Sequence, residues 1–212
     1  MNVKVKAKDF FSRAEKETIK QAVHTAEQGT TGEIAVMMVD QSDPYWDAEV
    51  MGAFSLSGLA AFILSLLLHH ITIWFYVPVA FVLFFPCRLL LARVPQLKLP
   101  LVSRQRAART VRARAIQAFY EKGLHKTVNE TGILIFISLL ERKVWILGDK
   151  GIDAKIAPAF WQSLAAELTS GIREGRALEA LSTVIARCGE ELQKQFPGAL
   201  GDKNELPDGI IL

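Results

Sequence analysis

The chain has 212 residues, half of them hydrophobic and 22% charged, with a mean hydropathy of +0.22 and a net charge of +3. That length suits one or two domains, and so mild a positive balance does not by itself indicate a nucleic-acid partner. The two cysteines, Cys87 and Cys188, show no CxxC or Cys/His spacing, which excludes a zinc-finger type of site and argues against a structural disulfide.

The opening stretch, MNVKVKAKDFFSRAEKE, is basic and then amphipathic and lacks the apolar core of a secretory signal. Ser12 reads as a helix N-cap, with Glu15 three residues on completing a capping box. Ile19, Ala22, Val23 and Ala26 then form an apolar stripe at helical spacing, and Gly29 ends the helix. In TTGEIAVMMVD, Glu33 to Asp40 reads as a β-strand whose near-continuous apolar run predicts burial on both faces.

From Met51 to Ala92 the sequence is almost unbroken in its apolarity. One transmembrane helix needs about 20 residues, and this run is about twice that. Two helices joined by a tight turn fit: the first from about Gly52 to Leu68, the second from about Ile71 to Leu91. The alternative is a buried core hairpin of a soluble protein. Gly52, Ser55 and Gly58 are small residues of the kind that let helices approach in lipid. Trp74 and Tyr76 suit an interface, and Pro78 and Pro86 suggest kinks in the second helix. The turn between them, His69-His70, reads as a polar turn at the outer interface. A metal site is disfavoured there, because no acid lies nearby in sequence; sensing of external pH is the other reading.

Two spans put both flanks on one side. The downstream flank carries Arg88, Arg93, Lys98, Arg104, Arg106, Arg109, Arg112 and Arg114 without an acid, so the positive-inside rule places both soluble segments in the cytoplasm. After the spans, SRQRAARTVRARAIQAFYEKGL reads as a basic helix with Ala108, Val111, Ala115 and Phe119 on one face. Ile133 to Leu139 and Lys143 to Leu147 read as an antiparallel hairpin turning at Glu141-Arg142. A helix follows from about Pro158. A last helix carries a stripe of Leu178, Leu181, Ile185, Cys188 and Leu192. The first helix and strand are too small to fold alone. The expectation is therefore one α/β domain, a three-layer α/β/α sandwich with a small mixed sheet, interrupted by an inserted two-helix transmembrane hairpin. Its first part is residues 1–50, the hairpin 51–92, its second part 93–198, and 199–212 a flexible tail.

The segments FFSRAEKETIKQAVHTAEQGTTGEIAVMMV, RAIQAFYEKGLHKTVNETGILIFISLLERKVWILGDKGI and SGIREGRALEALSTVIARCGEELQKQFP, with the loop GDKGIDAKI, resemble the TPM domain family. Its members include thylakoid-lumen, photosystem-associated and bacterial membrane-anchored proteins. The resemblance covers nearly everything outside the apolar insert. It implies an α/β/α sandwich, and in some members acid phosphatase activity and calcium binding; many bacterial members have no established activity. Family members usually lie outside the cytoplasm behind a signal peptide, a pattern from which this sequence departs.

For chemistry, Glu33, Asp40, Asp149 and Asp153 fall at strand ends and in the loop after the hairpin, where ligands of α/β sheets often bind. Asp149 and Asp153 are the candidate calcium ligands, with Glu33 and Asp40 as further candidates. Gly148 and Gly151 would admit an ion close to the backbone. The spacing is not that of an EF-hand. The opposing reading makes Asp149 a turn cap and Asp153 a solvated side chain. No aspartyl-nucleophile motif, two-metal set or Ser/His/Asp set is evident. Arg104, Arg106, Arg109, Arg112 and Arg114 read as a juxtamembrane surface for anionic lipid. These residues point to a non-catalytic binding or assembly module at the cytoplasmic face of the inner membrane. Its expected partners are the lipid bilayer and a membrane protein, not nucleic acid. The alternative is a calcium-dependent phosphatase acting on phosphomonoesters. A transporter subunit fits least, because the spans hold no acid.

Overall fold

The computed structural model describes residues 6–70, 72–127, 130–198 and 209–212. The expected tail lies mostly outside them, and so does Ile71 at the start of the second expected span. The chain divides into two compact units: Met1–Ser42 with Ala108–Leu212, and Asp43–Ala107.

In the first unit the elements are α1 (Ala7–Phe10), α2 (Arg13–Glu27), β1 (Glu33–Val39), most of α5 (Arg104–Glu121, whose first turn belongs to the second unit), β2 (Gly132–Ser138), β3 (Lys143–Gly148), α6 (Lys150–Asp153), α7 (Pro158–Arg173) and α8 (Ala177–Gln195). The capping box forms as the sequence predicts: Glu15 N–H donates to Ser12 Oγ at 3.2 Å, and Ser12 N–H to Glu15 Oε2 at 2.7 Å. Gly29 takes φ +85° just past α2, the left-handed position that glycine tolerates.

The sheet order is β1-β2-β3, with β1 parallel to β2 from Glu33↔Gly132 to Val39↔Ser138 and β2 antiparallel to β3. Side chains alternate across the sheet. Ile34, Val36, Met38, Ile133, Ile135 and Ile137 share one core with Ile19 and Val23 of α2, Leu164 and Leu168 of α7, and Leu181 and Val184 of α8. Ala35, Met37, Leu134 and Phe136 share the other with Val111, Ala115, Ala118 and Phe119 of α5. Helices therefore cover both faces, which is why β1 and β2 are apolar at nearly every position.

In the second unit α3 (Trp46–Leu67) and α4 (Ile73–Arg93) pack against each other, followed by two 3-10 turns, Pro95–Leu97 and Leu99–Leu101. The first apolar helix begins several residues before the expected Gly52. Its opening turn carries Asp47 and Glu49, whose charges hide it from an apolar window. The second runs through Pro78 and Pro86 without ending. The buried stripe of α3 is Ala53, Ser57, Ala61 and Ser65, one small residue every four. Gly52 is also buried, but Ser55 faces outward and Gly58 is half-buried. Ser57 Oγ donates to the Phe54 carbonyl at 3.1 Å and Ser65 Oγ to that of Ala61 at 2.8 Å, so neither hydroxyl is left without a partner. α3 ends in a Schellman motif: His70 N–H donates to Ser65 O at 3.0 Å and His69 N–H to Leu66 O at 3.2 Å, with His69 at φ +54°.

Candidate functional site

Four carboxylates are candidates from the sequence, and the sheet separates them. Glu33 opens β1 opposite Gly132, and Asp149 follows Gly148, which pairs with Ile133. These two lie at the same end of the sheet, on either side of β2. Asp40 lies beyond the other end of β1, about 23 Å away at the usual rise of a strand. There it accepts the Ala7 N–H at 2.5 Å and so tethers α1. The four do not converge. Among the described residues no group of three or more His, Cys, Asp or Glu side chains is placed to hold a metal ion.

What remains is the Asp149/Asp153 pair. Asp149 caps α6: its Oδ1 accepts the Lys150 N–H at 2.8 Å, and its own N–H donates to Gly132 O at 2.9 Å. Its Oδ2 is buried and has no hydrogen-bond partner among the described residues. Asp153 stands one turn along α6. Burial, and then the charge of Asp149, push its carboxyl above the ordinary 3.8. Gly148 is explained by packing and not by room for an ion. A Cβ there would sit 2.5 Å from Ile152 Cγ2 and 3.3 Å from Asp153 Oδ1. The pair thus combines a turn cap with one buried, unsatisfied carboxylate oxygen.

At the opposite end of the sheet, Ser42 N–H donates to Glu141 Oε1 at 3.0 Å, Ser42 Oγ to Ser138 Oγ at 2.9 Å, and Ser138 Oγ to Glu141 Oε2. In these bonds Ser138 gives its proton to the Glu141 carboxylate and Ser42 gives its own to Ser138. The cluster ties the chain leaving β1 to the β2–β3 turn. Burial pushes the Cys188 thiol up to about 12, which leaves it protonated and unreactive at neutral pH.

The arginine series on α5 is exposed except for Arg114, which is half-buried. It is not uniformly available. Arg106 makes a two-pronged ion pair with Asp47. Arg114 pairs with Glu121 at 2.9 Å, and Arg112 lies over the Trp145 ring at 5.6 Å. Arg104 and Arg109 have no charged partner among the described residues. In the second unit Glu49 receives Lys98 at 2.6 Å and Arg88 at 3.4 Å, and Lys98 is 5% exposed. The acids upstream of the apolar run therefore neutralise part of the basic flank downstream of it.

Among the described residues two helices are long and apolar enough to cross a membrane, α3 and α4. Their large apolar side chains face outward, with Phe81 66%, Val82 65% and Phe85 56% exposed.

Residues 99–191 match the family model described as TPM domain, TPM_phosphatase. The fold resembles the NMR structure of the BA42 protein from the psychrophilic bacterium Bizionia argentinensis. That likeness has a TM-score of 0.60 at 20% identity, over 95% of this chain and 94% of that one. No curated protein matches the chain. A TPM-domain region is present over residues 99–191, supplying α5, the β2–β3 hairpin, α7 and most of α8.

Proposed function

We propose that the protein is a membrane-anchored TPM-like module that binds or assembles other proteins at the cytoplasmic face of the inner membrane and performs no catalysis. In this reading the TPM-like domain is split by an inserted hairpin of α3 and α4 that spans the bilayer. The outward exposure of the hairpin's apolar side chains carries the anchoring. Eleven large apolar residues on α3 and eight on α4 are exposed among the described residues, where a soluble monomer's largest apolar patch is about 300–600 Å². A core hairpin of a soluble protein would bury them. At 22 and 21 residues the helices are about 32–33 Å long, against a hydrocarbon core of about 30 Å. Arg104, Arg109 and Arg112 follow the span in sequence and have no carboxylate partner among the described residues; anionic headgroups attract such residues at about 1 kcal/mol each.

Reporter fusions test the topology. A reporter at His70 should read as external and one after Leu212 as cytoplasmic; a cytoplasmic reading at His70 removes the two-span arrangement. The unsatisfied Asp149 Oδ2 beside Asp153 favours a second reading, a calcium-dependent phosphatase. Hydrolysis of a phosphomonoester by the purified protein in millimolar calcium, lost in Asp149→Ala and Asp153→Ala, would establish that reading and displace the first.

A further inference from the structure

β1 lies at the edge of the three-stranded sheet, so alternate main-chain groups point away from β2. An open edge invites pairing with other strands. Here it is closed at two points. The Ile34 N–H donates to Glu27 Oε1 at 2.8 Å. Farther along, Met38 N–H donates to Ile211 O at 3.0 Å and Ile211 N–H to Val36 O at 2.8 Å, which sets Ile211 opposite Met37 in a parallel bridge. The side chains obey the pleat. Ile210 packs on the core shared with α2, α7 and α8, and Ile211 on the core shared with α5. Gly209–Leu212 is thus a rudimentary fourth strand. It is lightly held: one bridge against seven residue pairs between β1 and β2, both isoleucines half-buried, and Leu212 55% exposed.

We propose that the outer edge of β1 is a strand-addition site for an extended peptide segment with two adjacent branched aliphatic residues, guarded in cis by Gly209–Leu212. The proposal rests on the binding-module reading and names its surface and the chemistry of its partner. One residue of the incoming strand must offer an N–H to Val36 and a carbonyl to Met38, and its neighbours must satisfy an apolar face on each side. Glu27 holds the Ile34 N–H, so the accepted strand runs from Val36 toward Asp40, parallel to β1. A longer strand next meets the Met38 carbonyl in a parallel ladder and so gains bonds that the resident segment does not make. This form of recognition draws affinity from main-chain bonds and specificity from alternate side chains.

The test uses the full chain in detergent, with and without Gly209–Leu212, and a labelled peptide of sequence Leu-Pro-Asp-Gly-Ile-Ile-Leu. A tethered segment competes at an effective concentration on the order of millimolar, so the shortened chain should bind the peptide at least about tenfold more tightly than the intact one. N-methylation of the second isoleucine should abolish binding. Hydrogen exchange at the Met38 amide should quicken in the shortened chain and slow again with peptide. Should the shortened chain fail to fold, Ile211→Pro removes the N–H given to Val36 and serves in its place. No saturable binding by a variant that melts as the intact chain does overturns the proposal, and so does self-association through the edge in place of peptide binding. A protein partner captured equally by intact and shortened chains, with no peptide binding, leaves the binding-module reading standing and removes the β1 edge as its surface.

Discussion

Asp149→Asn should stabilise the protein at neutral pH, and Asp149→Ala should change it little. The wild-type side chain has one favourable and two unfavourable roles. Its Oδ1 caps α6 through the Lys150 N–H, a contact typically worth about 1 kcal/mol. Its Oδ2 is buried without a partner, which costs about 1–3 kcal/mol. Its charge also opposes that of Asp153. Asparagine keeps the capping oxygen and removes the charge; alanine gives up both the cap and the penalty. The order expected is Asn above wild type, with Ala close to wild type, and a gain for Asn of about 1 kcal/mol. For a chain of this length that gain is about 2–4 °C in Tm. The pH dependence follows from Asp153. Its carboxyl is raised, by burial first and Asp149 second, so between the ordinary value and the raised one the folded state holds more protons than the unfolded. Stability then falls as pH rises through that window, and the penalty is absent below the ordinary value. Asp149→Asn should flatten the slope without abolishing it, since burial remains. Thermal melts of the detergent-solubilised chain from pH 4 to 7 read both effects. A loss of more than about 1 kcal/mol in Asp149→Asn would refute the reasoning, because it would mean that Oδ2 has a charge-seeking partner such as a cation. In that case millimolar calcium should raise the wild-type Tm and leave the variant unmoved.

Gly189→Ala should destabilise. The new Cβ would lie 2.7 Å from both the Cβ and the carbonyl oxygen of Ala26, so overpacking at about 1–3 kcal/mol outweighs the roughly 1 kcal/mol gained in helix propensity; urea unfolding measures the balance. Ala61→Leu, in the buried small-residue stripe of α3, should lower detergent thermal stability by about 1–3 kcal/mol, while Leu59→Ala on the exposed side should shift it by less than about 0.5 kcal/mol. His69→Gly relieves a left-handed residue and should raise the melting temperature by the equivalent of about 1 kcal/mol; an unchanged or lowered value would mean that the imidazole itself holds the turn.

Much of the fold was legible because local signals and burial agreed. Ser12 and Glu15 announced α2, alternating burial explains the apolar strands Glu33–Val39 and Gly132–Ser138, and Pro158 marks the first position of α7. What escaped depends on contacts between residues distant in sequence. Asp47 and Glu49 look like a polar approach to the apolar run, yet they form the first turn of α3, and their partners Arg106 and Lys98 lie some fifty residues on. Gly52, Ser55 and Gly58 were attractive for size alone; the four-residue period of Ala53, Ser57, Ala61 and Ser65 was readable and identifies the packed face. Asp40 and Glu33 bracket one strand, so an extended run places them at opposite ends of the sheet by its own geometry. No local pattern ties Ile211 to Met37, because strand pairing is a property of the assembled edge.

The parallel pairing of β1 with β2 requires a crossover, and this chain makes it unusually long. In sequence, Asp43–Ala107 follows β1 and precedes most of α5. Loop-closure entropy grows only with the logarithm of length, so carrying that unit raises the closure cost by about 1 kcal/mol. The exit is pinned independently, by Ser42 bonded to Glu141 and Ser138, and the return by Val111, Ala115 and Phe119 on the sheet. The first unit therefore holds its own core and its own tethers at the junctions. Replacing Asp43–Ala107 with a Gly/Ser linker of about 15 residues, whose mean span is about 20 Å, should yield a water-soluble protein that unfolds cooperatively and keeps the exchange protection of β2. Insolubility or a non-cooperative melt would show that the hairpin contributes to folding of the α/β unit.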